Sequence, residues 1–260
     1  MDVVTSRPGH YGCLRDRPDA RDHSYTVPAA VLNKLPSQVD LRPQCPPVYE
    51  QRPLESCTAN AVAGAIQFER MRHALKPDFT PSRLFIFYNE RSLAGITAAD
   101  SGVPIRDAIK AVKQRGDCPE SEWPYDVKKF AERPPESCYR AAVRYMDMSY
   151  ARLPQDLQHI KGCLAAGQPF ILGFMIHASF ETPAAEKTCT VPMPQSGDKL
   201  VGRHAVMAVG YDDAKGVVIL RNSWGPHWGV AGYFYMPYAY ISDPGLACDL
   251  WAIKLLPGKA

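Results

Sequence analysis

Three residues of this chain have the types and spacing to break an acyl bond. Cys57 heads a small-residue run in LESCTANAVAG (54–64), which reads as the first turn of a helix. A helix N-terminus offers unpaired N–H groups and the positive end of the helix dipole, and both favour thiolate over thiol. With an imidazolium beside it, such a cysteine falls from a pKa of about 8.5 to roughly 3–7. His204 supplies the imidazole. In GRHAVMAVGYDDAKGVVILRNSWG (202–225) two apolar strands flank the loop DDAKG, whose centre lies near residue 213 or 214. Antiparallel pairing about that centre reflects His204 onto positions 222 to 224 and brings it to the same end of the hairpin as Asn222. A carboxamide that accepts the ring N–H orients an imidazole as a base, and a base beside a thiol activates a nucleophile.

The elements that must hold these groups follow from periodicity. Small and apolar residues at helical spacing predict a helix from Cys57 to Leu75, stopped by Pro77, in which Gly64 implies close packing on another element. Two further helices are predicted over 82–94 and 104–115, the second with Pro104 in its first turn and Gly116 as its cap. After residue 150 a short helix (154–167) precedes strands at 169–176, 204–211, 216–221 and 232–236. A helical half followed by a β half makes the fold class α+β, with two lobes and a cleft between them. Residues 1–34, rich in Arg, Asp and Pro, lack helical periodicity and read as an extended arm anchored by Tyr11, Tyr25 and Val27.

Composition narrows the function classes. The 260 residues carry 30 Lys and Arg against 27 Asp and Glu. The formal charge of +3 is too small and too evenly spread for a nucleic-acid or membrane partner. The longest apolar runs, 169–176 and 204–211, are far short of a bilayer span. Eight cysteines show no paired C-x-x-C spacing, and there is neither an H-E-x-x-H nor a Gly-rich phosphate loop, so no metal or cofactor is expected. The cysteine count leans toward a secreted or periplasmic protein, while MDVVTSRPGHYG shows no signal peptide.

QRPLESC (51–57), GRHAVMAVGY (202–211) and RNSWGPHWGVAGYF (221–234) resemble the papain-like cysteine peptidases, in the compact form of their bacterial branch. The resemblance runs from about Leu35 to Pro257, with the cysteine, histidine and asparagine motifs in the family's order. It implies a papain-like two-lobe fold: a helical left lobe over about 35–150, a β-barrel-like right lobe over about 151–257, and the active-site cleft between them. It also implies a thiol endopeptidase. Cys57 would attack the scissile carbonyl, His204 protonate the leaving amine, Asn222 fix the ring and Trp224 shield that hydrogen bond. Gln51 and the Cys57 N–H would form the oxyanion hole. DSGVPIRDA (100–108) matches the family's Gly-containing strand, in which Gly102 presents backbone groups to an extended substrate. By the same carry-over Val103, Pro104, Met175, Gly202 and Ile253 line the main specificity pocket, which implies an apolar side chain one residue before the cleaved one. Cys189 and Cys248 stand where relatives have bridged cysteines.

The departures carry expectations of their own. Thr58 follows the nucleophile where relatives usually carry Trp, and Leu54 replaces a cysteine bridged beside the active site, so packing must hold that loop. Arg203 precedes His204 where many relatives have Asp or Asn, and a cation there is expected to disfavour the imidazolium. The arm is shorter than the relatives' helical propeptide. It is expected to lie over or beside the cleft of a monomeric enzyme and to restrain it from peptide and protein substrates. Two alternatives stay open: an acyltransferase that passes the acyl group to an amine, and a binding homologue without activity. The intact Gln51, Cys57, His204 and Asn222 argue against the second.

Overall fold

The computed structural model of the chain describes residues 11–256. Residues 1–10, the start of the expected arm, and Pro257, the end of the expected peptidase domain, lie outside the described residues. The helix headed by Cys57, α2 (Cys57–Arg72), follows a short turn of helix α1 (Ala29–Leu32) in the arm. Every residue of α2 from Cys57 to Arg70 is buried, so it has no solvent face. Its alanines let neighbouring backbones approach on all sides. It ends three residues earlier than expected, because Ala74 turns left-handed (φ 49°) and the Leu75 N–H closes back on the Arg70 carbonyl at 2.9 Å.

Two helices pack on α2. The first, α3 (Arg83–Ala94), starts at Ser82, whose Oγ accepts from the Phe85 N–H at 3.1 Å, and stops at Gly95. The second, α4 (Ile105–Arg115), runs from Pro104 to Gly116 as its sequence signals require. The remaining helices are short: α5 (Glu136–Ala142), α6 (Leu157–Ala165), α7 (Pro183–Thr188) and α8 (Tyr238–Ser242).

Among the described residues, seven antiparallel strands form one sheet. They are β1 (Gln38–Asp40), β2 (Met148–Arg152), β3 (Phe170–His177), β4 (Leu200–Asp212), β5 (Val217–Arg221), β6 (Tyr233–Pro237) and β7 (Ala247–Leu255). The order is β2-β7-β3-β4-β5-β6, with β1 added to β4. The sheet is open, with β2 and β6 at its edges, rather than a closed barrel. β7 went unpredicted although it lies between β2 and β3. α2 rests on β4, β7 and β3, so the helix that carries Cys57 is laid on the strand that carries His204. Phe68, Phe170, Phe174, Trp251 and Phe234 are fully buried in the core. Each such side chain contributes roughly 1.5–3 kcal/mol by leaving water. Gly64 faces Arg221, Tyr49 and Met207, but a Cβ there would meet them only at 3.6–4.0 Å, an ordinary contact. The smallness of α2 as a whole, not Gly64 alone, brings it close to the sheet.

Candidate active site

Cys57 is the first residue of α2 and is fully buried. Ser56, just before it, does not cap the helix with its side chain. Its hydroxyl is held instead by the Tyr125 hydroxyl at 2.5 Å and the Asn60 Nδ2 at 3.0 Å. The helix start is therefore left to the sulfur, to which the backbone N–H groups of Ala205, Thr58 and Gly12 donate. On β4, His204 Nε2 lies 2.8 Å from Asn222 Oδ1. That oxygen also accepts from the Ser223 N–H at 2.8 Å, which fixes it as the acceptor and makes Nε2 the protonated ring nitrogen. Nδ1, the nitrogen with a free lone pair, is buried and has no hydrogen-bond partner among the described residues. The observed register sets Met207 opposite Arg221, so Asn222 continues from the end of β5 beside His204. Trp224 stacks on the imidazole at 4.9 Å and 28°, with Trp228 edge-on behind it at 4.8 Å.

Gln51 is immobilised from every side. Its backbone N–H donates to the Ser223 carbonyl at 2.9 Å, and its carbonyl accepts from the Tyr125 hydroxyl at 2.8 Å. Its Oε1 accepts from the Ser223 hydroxyl at 2.5 Å, and one Nε2 hydrogen goes to the Leu54 carbonyl at 3.0 Å. The second Nε2 hydrogen is what a developing oxyanion would use. Leu54 is buried in the core, as the missing bridge requires.

The arm crosses this constellation. Its pairing with both walls is parallel, Gly12 with Arg203 and Leu14 with Pro104. The Cys13 N–H donates to the Arg203 carbonyl at 3.3 Å and the Leu14 N–H to the Val103 carbonyl at 3.2 Å. A Cβ on Gly102 would stand 1.1 Å from the Gly12 carbonyl oxygen, so only glycine lets the two backbones meet. Tyr11 covers Gly202, lies edge-on to His204 at 6.0 Å, and donates its hydroxyl to Glu181. Further along, Asp16 accepts from Trp251 Nε1 at 2.7 Å and from Arg152 at 3.1 Å, while the Tyr25 N–H donates to the Arg152 carbonyl at 2.8 Å.

Of the expected pocket residues, Gly102, Val103, Pro104 and Gly202 border the arm, and Trp224 lies beside His204. Met175 sits opposite Arg203, its N–H donating to the Leu246 carbonyl and its carbonyl accepting from the Tyr240 hydroxyl. Ile253 is not brought to this end: it pairs with Tyr150 on β2, and its carbonyl accepts from Gln168. Gly173 and Ile105, which the sequence reading missed, border the Cys13 thiol instead, with Arg203 alongside. A glycine inside a strand was the available signal for close backbone approach. Cys189 and Cys248 are not brought together. The Cys189 carbonyl bonds to β6 and its thiol to Glu186, whereas the Cys248 thiol on β7 donates to Asp249, with β3, β4 and β5 between those strands.

Electrostatics overturn one expectation. Burial pushes the Cys57 thiol up to about 12, further than the three N–H donors pull it down. Burial likewise pushes His204 down to about 4 against the hydrogen bond to Asn222. With the arm docked, burial disfavours both the thiolate and the imidazolium. Arg203 is not the cause: its guanidinium turns away to Cys248 and to Asp249 at 3.5 Å. Thr58, in the position of the relatives' Trp, donates its hydroxyl to Glu90 Oε1 at 2.9 Å. Glu90 is fully buried, and burial holds its carboxyl up at about 8. A carboxyl raised on folding adds stability that is complete below its ordinary value of 4.5 and lost as pH rises through about 8. Thermal melts at pH 5, 7 and 9 should therefore show the unmodified chain losing ground to Glu90→Gln as pH rises. Parallel pH profiles would contradict the assignment.

Comparison with known proteins agrees with this fold. The model of the family "Papain family cysteine protease" matches residues 35–249. An uncharacterized peptidase C1-like protein of Acanthamoeba polyphaga mimivirus is 38% identical over 279 residues, covering 98% of this chain and 89% of that protein. The crystal structure of xylellain, a cysteine protease from Xylella fastidiosa, is 44% identical with a TM-score of 0.90, over 98% of this chain and 100% of that one. Digestive procathepsin L 3 of the Tenebrio molitor larval midgut shares the fold at 21% identity, with a TM-score of 0.67 over 92% of this chain and 76% of that one. Among the described residues no helix is long and apolar enough to cross a membrane. On the family match and the two close relatives, the chain belongs to the papain family of cysteine proteases.

Proposed function

We propose that the chain is a self-restrained thiol endopeptidase in which Cys57 is the nucleophile and His204 the acid and base. The observation that carries the reading is the oriented imidazole, its Nε2 tied to Asn222 at 2.8 Å and its buried Nδ1 left without a partner, in the strand on which the nucleophile's helix rests. Cys57 gives its proton to His204, and its sulfur adds to the scissile carbonyl. The oxyanion is met by the Cys57 N–H and the second Gln51 Nε2 hydrogen, each donor contributing roughly 3–4 kcal/mol to the transition state. The tetrahedral species collapses as His204 protonates the departing amine, leaving a thioester on Cys57. Water, deprotonated by His204, then releases the acid and restores the thiol. Asn222 keeps the ring in register, and Trp224 excludes water from that hydrogen bond. The catalytic unit is residues 35–257, a helical lobe of about 35–150 and a β-rich lobe of about 151–257. It works as a monomer on peptides and proteins in an exported compartment.

The arm is the restraint. It gives the sulfur an N–H, from Gly12, where a substrate would offer a carbonyl carbon, so it occupies the site without being cut. It also removes the water that either charged partner needs. Removing residues 1–34, or replacing Gly12 by Val in the full chain, should raise the rate of Cys57 alkylation by an epoxide at mildly acidic pH by at least about tenfold, equivalent to roughly 1.4 kcal/mol of lost docking. An unchanged rate in both would remove the restraint from this account.

Once vacated by Cys13, the space beside Ile105 and Gly173 suits an apolar side chain. A cationic side chain there would face Arg203. Arm-free enzyme should cleave peptides with Leu one residue before the cleaved one at a kcat/KM at least about tenfold above those with Arg, a difference of roughly 1.4 kcal/mol. Equal values would defeat this preference.

A further inference from the structure

Two cysteines far apart from the nucleophile face each other. Cys118 follows α4 and Cys138 lies in α5; both are fully buried and their thiols are neighbours, the Cys138 thiol also donating to the Glu122 carbonyl at 3.8 Å within the loop between them. The other thiols turn to oxygen atoms: Cys13 to the Leu14 carbonyl, Cys45 to Leu41, Cys163 to Gln168, Cys189 to Glu186 and Cys248 to Asp249. Cys57 takes backbone N–H groups. We infer that Cys118 and Cys138 are an oxidation site, joined in the mature protein by a disulfide that closes the loop 119–137 and so fixes the brace behind Gln51.

The loop's contacts give the bond its purpose. Tyr125 projects from it and donates to the Gln51 carbonyl at 2.8 Å, while also meeting the Ser56 hydroxyl at 2.5 Å. One side chain thus ties together the residue before the nucleophile and the residue whose amide faces it. The Trp123 carbonyl accepts from the Ser82 hydroxyl at 2.6 Å, and the Ser82 N–H donates to the Cys118 carbonyl at 2.8 Å. The base of the loop is therefore bonded to the start of α3 next to Cys118. Leu54 leaves the loop before Cys57 without a covalent tie of its own. A bond between Cys118 and Cys138 restrains the same loop one layer further out, through Tyr125.

Forming the bond removes a proton from each sulfur and two electrons from the pair. Oxidised glutathione accepts them and is reduced to two thiols. Burial raises both thiols and seals them from exchange, so the bond forms while the loop is still closing and is sheltered from reductants afterwards. Closing the loop also shrinks the unfolded ensemble.

The test uses the full chain refolded in a glutathione redox buffer, with readouts independent of peptidase activity. After alkylation in denaturant without reductant, proteolytic mass mapping should recover the peptides of Cys118 and Cys138 as one linked species. That species should be lighter by two hydrogen atoms than the sum of its parts, and it should be absent from the double variant Cys118→Ala, Cys138→Ala. Hydrogen exchange at Gln51–Ser56 and across 119–137 should be faster in that variant than in the oxidised chain, and Tyr125→Phe should speed exchange at Gln51–Ser56 while leaving the linked species in place. Recovery of both cysteines alkylated would overturn the oxidation site. A linked species whose removal left exchange at Gln51–Ser56 unchanged would overturn the brace.

Discussion

Loss of water around an ionisable pair is the constraint on which the rest of this structure turns. A thiolate and an imidazolium stabilise each other, but each must first be solvated or paired, and burial penalises both charged forms. In the arm-covered chain that penalty outweighs the three N–H donors at Cys57, and it outweighs the Asn222 bond at His204. The catalytic geometry is already built: the ring is oriented, Gln51 is locked and the nucleophile sits at the head of its helix. Only the proton distribution is that of a resting state. On the proposed reading, the arm restrains the site by shape, through glycine contact at Gly12 and Gly102, and by electrostatics, through exclusion of water.

The arm's anchor explains how so short a segment stays down. Asp16 and Asp22 share the Arg152 guanidinium, which also reaches Asp249, and Asp22 pairs with Arg106 at 2.9 Å. Burial, with repulsion from Asp249, raises Asp16 to about 6, against the pull of Trp251, Arg106 and Arg152. A carboxyl raised on docking contributes docking energy that is complete below its ordinary value of 3.8 and lost as pH rises through about 6. Acid therefore tightens the clamp at Asp16. The side chains of Tyr25 and Val27 are buried against the same core as the sheet and add apolar anchors to the clamp.

Much of this was legible in the residues, and the failures have physical causes. Helices α2, α3 and α4 and strands β3 to β6 followed from periodicity, because each has caps or turn residues at its ends. The hairpin register brought His204 and Asn222 to one end before any coordinates, since the loop centre alone sets that symmetry. β7 was missed because ACDLWAIKL lies between two strands and is buried on nearly every residue, with Asp249 inside it, so no alternation marks it. Ile253 was carried into the pocket by likeness of motif alone, and strand pairing sends it to the far end. The charge state of Cys57 was misjudged for a different reason. Local sequence shows the helix start, but only the tertiary fold shows the arm lying over it.

The central claim is that Cys57, oriented imidazole and locked glutamine together form and hydrolyse a thioester. Acid quenching of arm-free enzyme during turnover of a peptide ester, followed by mass mapping, tests it most directly. The account predicts the acyl mass on the peptide that contains Cys57, and its accumulation when His204→Ala slows deacylation more than attack. Turnover with no acyl group on Cys57, or with the acyl group on another residue, would contradict it.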